Sequence, residues 1–437
     1  MEALFNDFVE AQTNEIGYLL ASTISPVPPK NDPARLYALR RSGSEHAMSQ
    51  DLIYKFQYNP GLRLDKDELK AWMDIYTAYF AFVARLLVAE ETQNANNGQN
   101  ANWVEVYNAW KGVVNALLKA YLESVLEAWT IPCLYTAGKY LRIFAIKADD
   151  VAASLRESGV IVTSFDEEES DGGKNENLED AARQINRIFS VCNGDRNPIE
   201  VSRKWALYYV VGLLFKTYFR LSSIQLCKNI LNSLDAQVDL PPLSSFPKSH
   251  QITFKYYAGV IRFLNEDYVQ AESYLEAAYA ACHAKSVHNT QLILMYLIPT
   301  KMLTKHQLPR PSLLEPYPGL ATLFTPIIKA VKDSNLTQLD NALATGEAEF
   351  VKRRVYLTLE RARDVALRNL FRKVYVCGGF EPAKEGDTTR VRRTRIPLIE
   401  FSAALQLAGA EVQDGEGDVD TNEVECIIAN MIYKVRA

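Results

Sequence analysis

Histidine and cysteine are scarce in this chain, five and six residues out of 437, and the cysteines are scattered without a single CxxC pair. A disulfide framework and a zinc ribbon are thereby excluded. Cys133, Cys192, Cys227, Cys282, Cys377 and Cys426 read as reduced thiols among mostly apolar neighbours, the usage of a cytoplasmic or nuclear protein. His283 and His288 stand on different faces of what reads as one helix, with no third ligand at a zinc-like spacing. Cys282 and His283 diverge in the same way and do not make a nucleophile and its base. There is no Gly-rich phosphate loop, no GxSxG elbow and no carboxylate pair that stands out, so no enzyme chemistry, metal or cofactor is expected. No apolar run reaches the roughly 18 residues that cross a bilayer. The N-terminus, MEALFNDFVEAQ, is acidic and amphipathic, so membrane insertion and secretion are not expected. Strand-like alternation is nearly absent before residue 396.

What is present is helix. A hydrophobic share of 48%, 23% charged residues and a net charge of -5 describe a folded soluble protein of two or three domains. Leu4, Phe5, Phe8, Val9, Ile16, Leu19 and Leu20 share one helical stripe until SPVPPKNDP stops it, because proline removes a donor and forces its predecessor out of the helical region. Helical spacing resumes over 66–91, 103–126 and 133–148, with the Asn-rich QNANNGQNANW as a solvated interruption. SFDEEESDGGKNENLED is acidic with almost nothing to bury and reads as a mobile linker. Residues 1–160 are therefore expected to form an N-terminal helical region, 161–180 the linker, 181–358 a run of helical hairpins and 359–437 a terminal unit. In YYAGVIRFLNEDYVQAESYLEAAYAAC, Gly259 lets two helices approach, Asp267 opens the second, and Ala271, Leu275 and Ala278 supply a small packing face. The expected fold is an all-α, right-handed, tetratricopeptide-like solenoid whose repeat is degenerate.

Charge reverses near the C-terminus. Between Val351 and Arg395 there are 13 Lys/Arg against 5 Asp/Glu; from Ile396 to Ala437 there are 2 against 8. A helix is expected from Arg353 to Tyr375, with Leu359, Val365, Leu370 and Val374 inward and Tyr356, Phe371 and Tyr375 buried. Its basic residues, together with the loop after it, make a candidate nucleic-acid face: Lys352, Arg353, Arg354, Arg361, Arg368, Arg372, Lys373, Arg390, Arg392, Arg393 and Arg395. A solvated helix face with a flexible basic loop accounts for the same residues. A short strand is expected at Ile396–Leu398 and a helix at Ile399–Leu407. A last helix follows, capped at Asp420 with Glu423 completing a box, and carries the stripe Val424, Ile427, Ile428, Met431, Ile432 and Val435. In DGEGDVDTNEVE, Asp414, Glu416, Asp418, Asp420 and Glu425 imitate calcium-loop positions. Val419, however, takes the place of the required glycine, which favours an acidic cap.

Helix, short strand, helix, helix is a winged-helix order. With LILMYLIPTKMLTKH, RNLFRKVY and DTNEVECIIANMIY at these relative places, the chain resembles the PCI domain, named for the proteasome lid, the COP9 signalosome and translation initiation factor three. NGDRNPIEVSRKWALYYVVGLLFKTYFRL, FKYYAGVIRF and IPTKML are similar to the branch holding the signalosome-associated subunit twelve and the PCI subunit of the second transcription-and-export complex. The resemblance covers about residues 181 to 437, and the N-terminal helices more loosely. It implies a non-enzymatic scaffold that pairs through its winged-helix edge with a second PCI protein. It also implies a small acidic Sem-type subunit lying across the helices between about residues 290 and 375. The joined winged helices would form a platform for RNA or DNA, largely independent of sequence, in nuclear mRNA biogenesis (transcription elongation and splicing), with the cytoplasm as a second compartment. The resemblance equally admits an mRNA-export subunit or a purely protein-binding signalosome subunit. Two wing strands should follow the last helix, yet the chain stops at IYKVRA, so a truncated or reduced wing is expected.

Overall fold

Apolar residues recurring at three- and four-residue steps along nearly the whole chain leave each helix with one face to bury, and helix packed on helix is the result. The computed structural model describes residues 2–42, 45–58, 62, 64–95, 101–157, 175–237, 239–380, 392–409 and 421–436. Among them there are helices, turns and one isolated bridge, and no strand. The chain divides into two compact units, Met1–Phe254 and Lys255–Ala437.

In the first unit the helices are α1 (Glu2–Thr13), α2 (Gly17–Thr23), α3 (Arg35–Arg41), α4 (Glu45–Tyr58), α5 (Lys66–Ala95), α6 (Trp103–Leu122), α7 (Ile131–Glu157), α8 (Glu176–Asn193), α9 (Leu207–Arg220) and α10 (Ile224–Asp235). α11 (Lys248–Leu264) contains the division. α5 packs on α6, α6 on α7, α7 on α8 and α8 on α9, the neighbour-to-neighbour order of a helical repeat. α5 is long and apolar enough to cross a membrane by composition. Its apolar side chains are spent on the core instead: Trp72, Ile75, Tyr76 and Phe82 are fully buried. Burying each such side chain contributes about 1.5–3 kcal/mol. Polar tips find partners inside, Tyr76 Oη with Thr23 Oγ1 at 2.6 Å and Trp110 Nε1 donating to the Ala137 carbonyl at 3.0 Å. The stripe over residues 1–23 is two helices, because Glu15 takes a left-handed backbone (φ 53°) that breaks the run.

Of the acidic stretch 161–180, residues 161–174 lie outside the described residues, and Glu176 already begins α8. Asp149 of α7 accepts from the Leu178 and Asn177 backbone N–H groups at 2.9 and 3.1 Å, closing the N-terminus of α8 from a neighbouring helix.

The second unit holds α12 (Tyr268–Ala281), α13 (Val287–Thr304), α14 (Pro311–Leu314), α15 (Pro318–Asp333), α16 (Leu336–Lys352), α17 (Tyr356–Glu360), α18 (Ala362–Cys377), α19 (Leu398–Leu407) and α20 (Thr421–Arg436). A Cβ on Gly259 would lie 2.7 Å from Leu275 Cγ, so the close approach of α11 and α12 needs the glycine. Asp267 caps α12 by accepting from Gln270 N at 3.2 Å. His283 sits in the turn after α12 and His288 in α13, not on one helix; His283 Nδ1 accepts from Lys285 N at 3.1 Å.

The single helix expected from Arg353 to Tyr375 is a corner followed by two helices. α16 runs on to Lys352, Arg354 turns left-handed (φ 58°), Val355 N bonds back to the Phe350 carbonyl at 2.9 Å, and α17 and α18 follow. Burial of Val355 and Phe350 holds this corner. No strand forms at Ile396–Leu398, because the helix begins at Leu398 behind Pro397. The extended contact is a one-residue antiparallel bridge between Phe380 and Arg392.

Candidate nucleic-acid and partner interface

Whether an arginine is available to a ligand depends on what already holds it. α18 is fixed by burial of Ala362, Val365, Ala366 and Leu370 on one face, packed against α13, α15 and α16. On one flank of that face, Arg363 donates to both oxygens of Asp340 on α16 at 3.1–3.2 Å. Lys373 donates to the Lys332 and Asp333 carbonyls at 3.0 and 2.8 Å, capping the C-terminus of α15. Lys373 is thus occupied by the fold, the natural place for a cation at the negative end of a helix.

Arg368 and Arg372, one turn apart, are exposed and have no partner among the described residues. Arg361 heads the same stripe but donates to Glu266 at 2.9 Å and lies 5.8 Å from the Tyr268 ring centre. A surface pair of this kind contributes about 1 kcal/mol or less and yields readily to a stronger anion. At the other end Arg392 spreads over the rings of Tyr375 and Phe380, 5.6 and 5.3 Å from their centres. Tyr375 is therefore not buried; it is 40% exposed and carries an arginine. Phe371, half-buried, meets Phe401 of α19 edge-on at 5.3 Å. The field of this stripe is felt nearby: burial first, and then the Arg368 charge, hold the His306 imidazole below its ordinary value and favour its neutral form.

The remaining cations divide the same way. Arg353 is paired with Glu349 at 2.9 Å and Lys352 reaches the same carboxylate at 4.0 Å, while Arg354 is exposed at the corner before α17. Arg393 pairs with Glu400 at 3.2 Å and Arg395 is exposed. Arg390 lies outside the described residues, as do Asp414, Glu416, Asp418, Val419 and Asp420 of the acidic loop.

A second feature was not legible in the sequence. Of the α20 stripe, among the residues whose burial is described, Val424 is buried, Ile427, Ile428 and Met431 are half-buried, and Ile432 is 52% exposed. Ile399 and Leu407 on α19 are 74% and 88% exposed, and Tyr433 74%. A cavity of about 510 Å³ opens between the α15–α16 turn, α18 and α19, lined by Leu370, Val374, Ala404 and Leu407 among others. So much apolar surface on two adjacent short helices is characteristic of an interface. The amphipathic pattern identified the stripe, but not whether this chain or another covers it.

No protein-family model matches the chain. It is 47% identical to a CSN12 homolog of Neurospora crassa, over 99% of this chain and 94% of that protein, and 46% identical to one of Gibberella zeae over the same shares. To PCI domain-containing protein 2 of Danio rerio it is 31% identical, over 90% of this chain and 88% of that one. The chain belongs to the PCI-domain family, in its CSN12-like branch. The all-α helical repeat is that of a PCI protein, and α18 to α20 are the helices of its terminal unit. As a PCI chain it is a scaffold subunit, one member of a multiprotein complex.

Proposed function

We propose that this PCI chain is a non-catalytic scaffold that pairs with a second PCI protein and, with it, presents a basic platform to RNA or DNA in nuclear mRNA biogenesis. The observation that carries the reading is the stripe of Arg368 and Arg372, exposed and unmatched by carboxylates among the described residues, continued by Arg392 on Tyr375 and Phe380. Guanidinium groups held over rings offer donors to phosphates and faces to unstacked bases, which suits single strands. Because the contacts are to backbone phosphates, binding is largely independent of sequence. The uncovered apolar surface of α19 and α20 supports docking of the second PCI protein there, beside the basic stripe. A small acidic subunit with apolar side chains would lie in the groove of about 250 Å³ lined by Leu294, Leu297, Ile298 and Leu308, in the stretch where such a contact is expected, competing with Glu276 for Lys301, a pair at 2.9 Å.

The test is fluorescence anisotropy with a single-stranded RNA, using the chain assembled with its PCI partner and acidic subunit, at low and physiological salt. Arg368→Glu/Arg372→Glu should weaken binding and flatten the dependence of log affinity on log salt by about 1.4, at about 0.7 per phosphate contact on a single strand. Arg363→Gln, which breaks a pair facing Asp340, should leave the slope unchanged. An intact complex that binds no RNA, or a double variant that binds as the wild type, removes the nucleic-acid platform and leaves a protein-binding scaffold.

A further inference from the structure

We propose that the cavity between α7, α9 and α11 in the first unit is a binding site for a small organic phosphate, with the phosphate on Lys139, Arg142 and Lys216 and the organic part against Tyr209 and His250. The cavity is about 370 Å³, and no carboxylate is among its lining residues. That volume lies in the range of small-ligand pockets and is far too small for a folded partner.

Lys139 and Arg142 are one turn apart on α7, and Arg142 reaches across to donate to the Lys216 carbonyl at 3.4 Å, which brings its charge beside the Lys216 side chain on α9. Neither Lys139 nor Lys216 has an ion-pair partner among the described residues. Lys139 rests 4.9 Å from the Tyr140 ring centre instead. Although Lys216 is exposed by surface area, enough protein surrounds its ammonium that burial first, and the Arg142 charge second, lower its pKa. Further along the same two helices Arg220 pairs with Asp150 at 3.1 Å, so this helix pair does neutralise charge where a carboxylate is supplied. None of the residues lining the cavity is a carboxylate, and the Lys216 ammonium is held there beside the Arg142 charge, a repulsion that a bound dianion relieves.

The far wall is aromatic and imperfectly satisfied. The Tyr209 and His250 rings are 5.1 Å apart, each packed on Tyr135. His250 Nδ1 is buried with no hydrogen-bond partner, and burial holds the imidazole below its ordinary value, so it is neutral and has an unused polar atom for a ligand. Gly212 forms part of the lining; a Cβ there would meet Thr253 Cγ2 at 3.3 Å and narrow the space.

Adenosine 5′-monophosphate, adenosine and inorganic phosphate would be titrated into the full chain, following heat by calorimetry and the melting temperature. The expected result is binding of the nucleotide, no binding of adenosine, and a weaker response to inorganic phosphate. Lys216→Met and Arg142→Gln should each weaken nucleotide binding roughly tenfold or more, the usual effect of losing a charge-assisted contact. Lys285→Met, on an exposed turn of the other unit, serves as the control. Lys216→Met should also raise the melting temperature of the ligand-free chain, since it removes one of two crowded like charges while keeping the side-chain stem. A lysine with a purely structural role would give the opposite sign. Absence of nucleotide binding at millimolar concentration, equal binding of adenosine, or a Lys216→Met variant that melts lower and binds normally overturns the assignment.

Discussion

Replacing Asp195 should unfasten the loop between α8 and α9, and the size of the effect follows from its contacts. The carboxylate, 2% exposed, accepts from Arg203 N at 2.6 Å, Ser202 Oγ at 3.0 Å and the Arg203 guanidinium at 3.3 Å. The Arg203 side chain, 12% exposed, also donates to the Tyr121 carbonyl at the end of α6, so one ion pair ties three helices of the first unit. Removing one partner of a buried pair costs about 3–5 kcal/mol. Because Arg203 keeps Tyr121, we expect the low end for Asp195→Ala, about 3 kcal/mol, or roughly 6–12 °C in melting temperature at about 2–4 °C per kcal/mol. Asp195→Asn keeps the shape but loses the charge and should fall between.

The acid limb provides an independent check on Asp195. Burial, the largest single influence, raises its carboxyl, but the Arg203 N–H, the Ser202 hydroxyl and the Arg203 guanidinium together hold it below the ordinary 3.8. A carboxylate depressed in the folded state contributes stability that is present above the unfolded value and lost as pH falls through the folded one. The gap between wild type and Asp195→Ala should therefore be full at pH 7 and begin to close as pH falls below about 4. Thermal melts by circular dichroism across that range measure it. A loss under about 1 kcal/mol at neutral pH, or a gap that persists undiminished in acid, refutes the reasoning.

Two further substitutions probe the helix junctions. Gly259→Val should destabilise by about 1–3 kcal/mol through overpacking on Leu275, and Leu275→Ala in the same chain should recover part of it, a coupling read from urea unfolding. Asp149→Ala should cost about 1–2 kcal/mol by uncapping α8, and amide exchange at Asn177 and Leu178 should accelerate while that of the α8 centre changes little.

Much of this molecule was legible one residue at a time. Helix existence follows from apolar spacing, which is a local property, and α15 opens at Pro318, a residue suited to the first turn of a helix. Gly259 and Asp267 could be read because a glycine opposite small residues and an aspartate before a helix act through their immediate neighbours. The left-handed turns at Glu15 and Arg354 could not, since neither residue type announces φ > 0 and the surrounding packing imposes it.

Function divides along the same line. The charge reversal near the C-terminus is fixed by composition, but its usable part is a tertiary decision. Lys373 and Arg363, neighbours in the same basic helix, are claimed by α15 and α16, whereas Arg368 and Arg372 face away and remain available. Likewise Lys139, Arg142 and Lys216 are unremarkable in one dimension and become a site only when α7 and α9 are packed together. Hydrophobic spacing is a local property that sequence states directly, while the pairing of charges depends on which distant segments meet, and that is settled only by the fold.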